Sequence, residues 1–164
     1  MELLPVIIEC PRGTGEKYDY VPEKGYFKLS KVLPAGLVFP FDFGFVPETR
    51  GEDGDPLDVI VISGIQSFTG CCMDCRIIGA IKAQQTELDG SSMRNDRFFA
   101  IPDVSEVFKD VRSISDLPED IVAGVEEFFQ TYNEQAGKKF EVLERIGADD
   151  AYKLISKQHA EVEE

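Results

Sequence analysis

The chain has 164 residues, of which 43% are hydrophobic and 29% charged. This balance is typical of one globular domain with a sizeable core, so we predict a single domain spanning residues 1–164. Lys and Arg number 17 against 31 Asp and Glu, a net charge of −14. That charge disfavours nucleic acid and anionic membrane surfaces as partners, because their phosphates would be repelled. The sequence lacks a basic, apolar leader and any stretch of about 18 apolar residues, which predicts a cytoplasmic protein.

The first hundred residues predict short strands separated by Gly, Pro and Asp. Runs of β-branched and aromatic residues mark six of them: 6–8, 17–21, 26–29, 59–62, 75–83 and 97–101. Residues 22–25, Pro-Glu-Lys-Gly, are typical of a hairpin turn. Segment 33–47 is rich in Pro, Gly and Phe, and we predict a long ordered connection in which at least half of its alternating rings pack inward. Those rings are Phe39, Phe41, Phe43 and Phe45.

Two amphipathic helices are predicted in the last third of the chain. Asp116 is a candidate N-cap, Pro118 falls in the first turn, and apolar residues recur at helical spacing through Tyr132. Gly137 ends this helix, and residues 140–143 are a candidate short strand. A final helix runs into an acidic, frayed end; its apolar positions are Ala151, Leu154, Ile155 and Val162. Many short strands followed by two helices predict an α+β domain built on a small closed or partly open barrel.

The cysteines raise the question of a zinc site. Cys71, Cys72 and Cys75 are closely spaced, but the sequence has no second pair, and its one histidine, His159, lies far away in a charged tail. A tetrahedral zinc site needs a fourth ligand. We therefore predict that the cysteines are reduced thiols, buried or semi-buried in strands.

The densest chemical pattern is segment 51–59, Gly-Glu-Asp-Gly-Asp-Pro-Leu-Asp-Val. Its glycines and proline place the acids on a loop that feeds the apolar strand at 59–62. Two carboxylates about 4 Å apart repel by roughly 4 kcal/mol at an effective dielectric near 20, so converging acids need solvent or a cation. Hard oxygen ligands suit Mg²⁺, Mn²⁺ or Ca²⁺ rather than zinc.

Two other interpretations of this loop are a solvated turn and an EF-hand. An isolated Asp-Gly-Asp is usually a solvated turn. An EF-hand counted from Asp53 needs Gly at the sixth position and Glu at the twelfth, where this chain has Asp58 and Gly64, and no amphipathic helix precedes the loop. An EF-hand is therefore disfavoured.

The run Asp53-Gly-Asp55-Pro-Leu-Asp58-Val resembles the signature of family I soluble inorganic pyrophosphatases, D-x-D-P-hydrophobic-D-hydrophobic. The similarity extends over about residues 6–140 and implies a five-stranded OB-like β-barrel with peripheral helices. It also implies hydrolysis of pyrophosphate to two phosphates with Mg²⁺, or Mn²⁺, as cofactor. Asp53 and Asp58 would bind the metals, and Asp55 would lie beside them as the base for the attacking water. Bacterial members are commonly hexamers, which implies a homo-oligomer.

The resemblance assigns three further groups of residues. Additional metal ligands would be Asp55 itself, Glu9 and Asn95. Phosphate-binding residues would be Lys17, Lys31, Arg97 and Tyr132. Supporting positions around them would be Asp19, Phe43 and Gln85.

Three positions depart from the family pattern. Gln85 and Asn95 stand where the family has acids, and Asn133 stands where it has a lysine. Asn95, not Asp96, shares the strand face of Arg97, so two-residue periodicity places the amide in the site. Each lost charge weakens the hold on a hard cation. The alternative function is therefore a non-catalytic or altered-specificity pyrophosphatase-like protein that binds divalent metal or phosphate.

Overall fold

The computed structural model describes residues 2–163, and their side chains through residue 159. Within these residues the chain forms nine strands, two α-helices and one 3₁₀ helix. The strands are β1 (Leu4–Cys10), β2 (Glu16–Val21), β3 (Tyr26–Val32), β4 (Asp42–Phe45), β5 (Asp58–Val61), β6 (Cys72–Thr86), β7 (Ser92–Arg94), β8 (Arg97–Pro102) and β9 (Lys139–Gly147). The helices are the 3₁₀ helix Ile114–Asp116, α1 (Glu119–Gln135) and α2 (Ala148–Glu163).

Five strands close into a ring. Their order is β1-β4-β5-β8-β6, and β6 pairs back onto β1. The neighbours are antiparallel except β5 and β8, which are parallel. The far end of β6 pairs with β7 and β9, while β2 and β3 form a separate hairpin whose turn is residues 22–25. This arrangement confirms the predicted α+β fold with a five-stranded barrel.

Segment 33–47 differs from its prediction, because it contains the strand β4. All four residues of β4 are buried. Gly44 lies so close to β1 that an added Cβ would be 2.1 Å from the carbonyl oxygen of Ile7. A glycine inside a short strand weakens the sequence pattern of that strand while permitting this contact. The short strand β7 was not predicted either, and β6 and β9 extend beyond their predicted bounds.

Helix α1 begins later than its predicted N-cap. Pro118 occupies the N-cap position, and Asp116 instead belongs to the preceding 3₁₀ helix, where its carboxylate accepts from the backbone N–H groups of Arg112 and Ser113. The prediction of Asp116 as N-cap of α1 is therefore wrong. The final helix is present, but Val162 and the acidic end lie outside the described side chains. No helix within residues 2–163 has the length and apolar character needed to cross a membrane.

A cluster of phenyl rings joins α1 to the strand ring. The ring centroid of Phe129 lies 5.7 Å from those of Phe43 and Phe140, and Phe128 lies 5.3 Å from Phe39. Three of the four alternating rings, those of Phe39, Phe43 and Phe45, are buried, as predicted for at least half of them. These contacts fix the end of α1 that carries Tyr132.

The cysteines are free thiols. Burial raises the pKa of Cys10 and of Cys75 to about 12. Cys71 is half-buried, but Cys72, at the first position of β6, is exposed. The expectation that all of them would be buried or semi-buried is therefore wrong for Cys72.

Candidate active site

The molecule has a cavity of about 890 Å³. Its wall combines the end of β1, the β2–β3 hairpin, the acidic loop before β5, the start of β8 and the end of α1. All the site residues singled out from the sequence line it: Glu9, Lys17, Asp19, Lys31, Phe43, Asp53, Asp55, Asp58, Gln85, Asn95, Arg97 and Tyr132.

The acidic loop is a turn held by its own hydrogen bonds. The Gly51 N–H donates to the Asp55 carbonyl at 2.8 Å, and the Gly54 N–H donates to the Gly51 carbonyl at 3.0 Å. The carboxylate of Asp53 accepts from the Asp55 N–H at 3.0 Å. Asp53 and Asp55 are exposed, whereas Asp58, the first residue of β5, has a side chain only 20% exposed. The loop thus places three acids at one wall of the cavity in a defined arrangement.

These acids disfavour one another's ionisation. Burial raises the pKa of Asp58 to about 6, with the Arg97 guanidinium opposing this rise and the charge of Asp53 adding to it. Although Asp53 is exposed by surface area, the surrounding loop partly desolvates its carboxylate, and this desolvation together with the charge of Asp55 raises the pKa of Asp53, against the hydrogen bond from the Asp55 N–H. Holding such groups ionised costs free energy that a cation would offset.

Hard carboxylate oxygens are the donors that Mg²⁺ and Mn²⁺ prefer, so the loop fits such an ion. Among the described side chains, no three His, Cys, Asp or Glu residues stand close enough together to form a complete metal cluster. The fit therefore depends on donor chemistry and on the raised pKa values of Asp53 and Asp58.

Glu9 contributes a further carboxyl group. It is 8% exposed and accepts from the Tyr20 N–H at 2.8 Å. Burial raises the pKa of Glu9 to about 7, against this hydrogen bond and with a smaller contribution from Asp58. Glu9 therefore changes its charge near neutral pH.

Two lysines face each other across the β2–β3 hairpin. Lys17 and Lys31 are register partners, and Lys17 pairs with Asp19 at 3.0 Å, as expected for residues two apart on one strand face. Although burial lowers the pKa of Lys17, the Asp19 carboxylate raises it more, and the pKa lies above its usual value. The ammonium of Lys31 lies 4.4 Å from the ring centre of Tyr132. Like charges opposite each other are unfavourable alone, so this pair favours an anion beside it.

Arg97 is 5% exposed, and its guanidinium connects the acids to the aromatic cluster. It donates to the Asp58 carboxylate at 2.7 Å and to the side-chain oxygen of Asn95, and it lies 4.5 Å from the ring centre of Phe129. The Nε of Arg97 and the hydroxyl of Tyr132 are buried and have no hydrogen-bond partner within the described part of the chain. Both residues line the cavity, where a bound water or polar ligand would satisfy such atoms.

A hydrogen bond joins the side-chain amides of Asn95 and Gln85, and a second continues to Glu87. Asn95 Nδ2 donates to Gln85 Oε1 at 2.9 Å, and Gln85 Nε2 donates to Glu87 Oε1 at 2.8 Å. Asp96 instead accepts from the Ala83 N–H at 3.0 Å and does not line this cavity. Asn95 and Arg97 thus both line the cavity while Asp96 does not, although Asn95 lies in the loop between β7 and β8 and not on a strand.

The cavity wall also holds charged residues that sequence reasoning did not assign to the site, among them Glu87 and Lys138, which form an ion pair at 2.9 Å. It also left the orientation of Asn133 open. That side chain is 3% exposed and donates to the Phe129 carbonyl at 2.8 Å. For Lys138, the available sequence signal was Gly137. A glycine after a helix lets the chain reverse direction, and this reversal at the end of α1 returns Lys138 to the cavity.

Comparisons with known proteins agree with this fold. The family model described as inorganic pyrophosphatase matches residues 6–163. The inorganic pyrophosphatase of Halalkalibacterium halodurans is 37% identical over 154 residues, covering 94% of this chain and 91% of that protein. That of Geobacillus stearothermophilus is 34% identical over 154 residues, covering 94% and 90%.

Solved structures give the same result. The crystal structure of the inorganic pyrophosphatase from Thermus thermophilus superposes with a TM-score of 0.89 at 30% identity, covering 99% of this chain and 92% of that one. The strand ring with its two helices is therefore the fold of the inorganic pyrophosphatase class. The chain belongs to the inorganic pyrophosphatase family.

Proposed function

We propose that this chain is a Mg²⁺-dependent inorganic diphosphatase that hydrolyses pyrophosphate to two phosphates. Its membership of the inorganic pyrophosphatase family supports this activity. The observation that carries the proposal is the meeting of three loop carboxylates with the cations Lys17, Lys31 and Arg97 in one cavity. Hydrolysis of a phosphoanhydride needs both kinds of group, because the acids bind cations and activate water while the basic residues hold the phosphate oxygens.

Asp53 and Asp58 are the residues that would hold the metal, with Mn²⁺ as a substitute for Mg²⁺ and with Glu9 and Asn95 as further oxygen donors. When bound, the metal screens the phosphate oxygens and lowers the pKa of nearby water. The side-chain oxygen of Asn95 accepts from Arg97, and its second lone pair would remain for a cation. We assign Asp55, exposed at the turn, as the base that takes the proton from the attacking water.

The basic side chains would hold the two phosphate groups. Lys17 and Lys31 provide adjacent positive charges on the hairpin, and Arg97 and Tyr132 provide donors that lack partners within the described residues. Three neighbours keep this set in place: Asp19 pairs with Lys17, Phe43 packs beside Arg97 at 6.0 Å, and Gln85 orients Asn95. A fixed array of donors stabilises the charge that develops on the leaving phosphate.

We further propose a cytoplasmic, single-domain protein that forms a homo-oligomer, hexameric by family resemblance, and that binds neither nucleic acid nor membranes. The net charge of −14 supports the exclusion of polyanionic partners. Sedimentation equilibrium tests the assembly: a hexamer mass is expected, and a monomer over the whole concentration range would contradict it.

Phosphate release from pyrophosphate, tripolyphosphate and ATP tests the function, with Mg²⁺ and Mn²⁺ each varied and with EDTA as the metal-free control. We expect metal-dependent release, fastest from pyrophosphate. Preference for a longer phosphoanhydride would indicate altered specificity. No release from any of these substrates at any metal concentration would contradict the proposal and favour the non-catalytic alternative.

A further inference from the structure

Lys138 reaches the cavity because of the turn that ends α1. Gly137 has φ +76° there, a conformation that side-chain-bearing residues rarely adopt, and an added Cβ would lie 2.8 Å from a methyl carbon of Leu88. The Lys138 N–H donates to the Asn133 carbonyl at 2.9 Å. The Asn133 side chain bonds to its own helix at the Phe129 carbonyl. Its backbone carbonyl accepts from Lys138 and so helps to direct Lys138 to the cavity wall. The Lys138 side chain is 33% exposed there.

A continuous series of hydrogen bonds connects Lys138 to Arg97. The Lys138 ammonium lies 2.9 Å from Glu87, which also accepts from Gln85. Gln85 in turn accepts from Asn95, whose side-chain oxygen accepts from Arg97. Each link joins side chains that line the same cavity.

The charged ends determine the orientation of both amides. Arg97 can only donate, so Asn95 must present its oxygen to Arg97 and its NH₂ group to Gln85. Glu87 can only accept while it is ionised, so Gln85 must present its NH₂ group to Glu87. Hydrogen bonds from Lys138 and Gln85 lower the pKa of Glu87, which keeps it ionised at neutral pH. Reversing either amide would oppose donor to donor, so the series has one favourable arrangement.

Because Gln85 and Asn95 are neutral, they connect the two cations without neutralising them. Among the described side chains, Glu87 alone pairs with Lys138, and it does so at the partly solvated edge of the cavity, where its side chain is 26% exposed. An ammonium has three N–H donors, and the contact with Glu87 uses one of them. A phosphate group in the cavity can therefore bind the Lys138 ammonium while Glu87 still holds it.

We propose that Lys138 is a phosphate-binding residue of this cavity, and that Gln85 and Asn95 are positioning residues that hold it, through Glu87, at a fixed distance from Arg97. The inference deepens the proposed function, since its ligand is the diphosphate group of that substrate. It adds a residue that the family resemblance did not supply, at a position five residues beyond Asn133.

Binding of imidodiphosphate, a diphosphate analogue with a bridging nitrogen, tests the proposal without turnover. Calorimetry in the presence of Mg²⁺ should show that Lys138→Met weakens binding about 10-fold, the usual order for one charge-assisted hydrogen bond. Lys138→Arg should recover part of the loss. Lys139→Met is the matched control, because Lys139 is the next residue, is exposed and pairs with Glu141 outside the cavity; its affinity should match that of the wild type.

The positioning role has its own readout. Gln85→Leu should weaken imidodiphosphate binding, and the double variant Gln85→Leu/Lys138→Met should lose less affinity than the two single losses combined, because both changes remove one shared interaction. Equal affinities of the Lys138→Met and Lys139→Met proteins, or strictly additive losses in the double variant, would overturn the inference.

The failure of the proposed function would give a different result. If the wild-type protein binds imidodiphosphate but releases no phosphate from pyrophosphate, the proposed hydrolase activity is contradicted. The variants would still decide whether Lys138 binds phosphate. A wild-type protein that does not bind the analogue would contradict both.

Discussion

The guanidinium of Arg97 donates to the carboxylate of Asp58 across 2.7 Å and links the first residues of two parallel strands. The β5–β8 register sets these residues directly opposite each other, so sheet pairing itself brings the acid and the cation together. One consequence is that a metal ion at Asp58 competes with Arg97 for the carboxylate. The fold holds the positive charge of Arg97 in place, so the two cations must share Asp58.

Replacing Arg97 by Met should therefore tighten Mg²⁺ binding, by roughly 3- to 10-fold, because a competing positive charge is removed. Met suits the apolar surroundings that the rings of Phe43, Phe129 and Phe140 provide. Calorimetric titration with Mg²⁺ at pH 7.5 measures this effect, with the exposed Arg112→Met as control. Turnover should fall in the same variant. Weaker Mg²⁺ binding than in the control would contradict the competition.

Glu9 should make the stability of the metal-free protein depend on pH. Its pKa is about 7 in the fold against an ordinary 4.5, so its contribution to stability is complete below pH 4.5 and is lost as the pH rises through 7. Between pH 5 and pH 8, wild-type protein should lose roughly 2–3 kcal/mol of unfolding free energy relative to Glu9→Gln.

Urea unfolding in EDTA at the two pH values measures this difference. The exposed Glu134→Gln serves as the control and should follow the wild type. If the Glu9→Gln protein and the wild type lose the same unfolding free energy over this range, the raised pKa assigned to buried Glu9 is wrong.

Phe129→Ala should destabilise the protein by about 3–5 kcal/mol, the usual cost of deleting a buried phenyl ring. The ring is 3% exposed and contacts three further buried rings, those of Phe43, Phe128 and Phe140. Phe68→Ala provides a matched control, because its ring is 65% exposed; its cost should stay below about 1 kcal/mol. Urea unfolding compares the two, and equal losses would argue against the phenyl cluster as the joint between α1 and the ring.

Much of the site could be predicted because its residues lie on regular strands or in one compact motif. Lys17 and Asp19 share a strand face by two-residue periodicity, and the same rule separated Asn95 from Asp96. The three aspartates of the acidic loop lie within six residues of sequence, so the spacing between them was enough to identify the motif. The strand ring followed from the family resemblance together with the order of short strands and helices.

The remainder depends on long-range packing, which sequence patterns do not record. Strand β4 is only four residues long and contains Gly44, whose missing side chain is needed for contact with β1. Lys138 resembles any surface lysine until the turn at Gly137 brings it to Glu87. The N-cap of α1 was misplaced because Asp116 has the residue type of a cap but serves the preceding 3₁₀ helix.

The rate of phosphate release from pyrophosphate by Asp55→Asn protein at saturating Mg²⁺ tests the central claim most directly. Asp110→Asn, an exposed change of the same kind outside the cavity, is the control. We expect Asp55→Asn to lower turnover at least about 100-fold while the control stays near the wild-type rate, since a positioned proton acceptor contributes on that order. Near-wild-type turnover by Asp55→Asn protein would contradict the assignment of this loop as the catalytic centre.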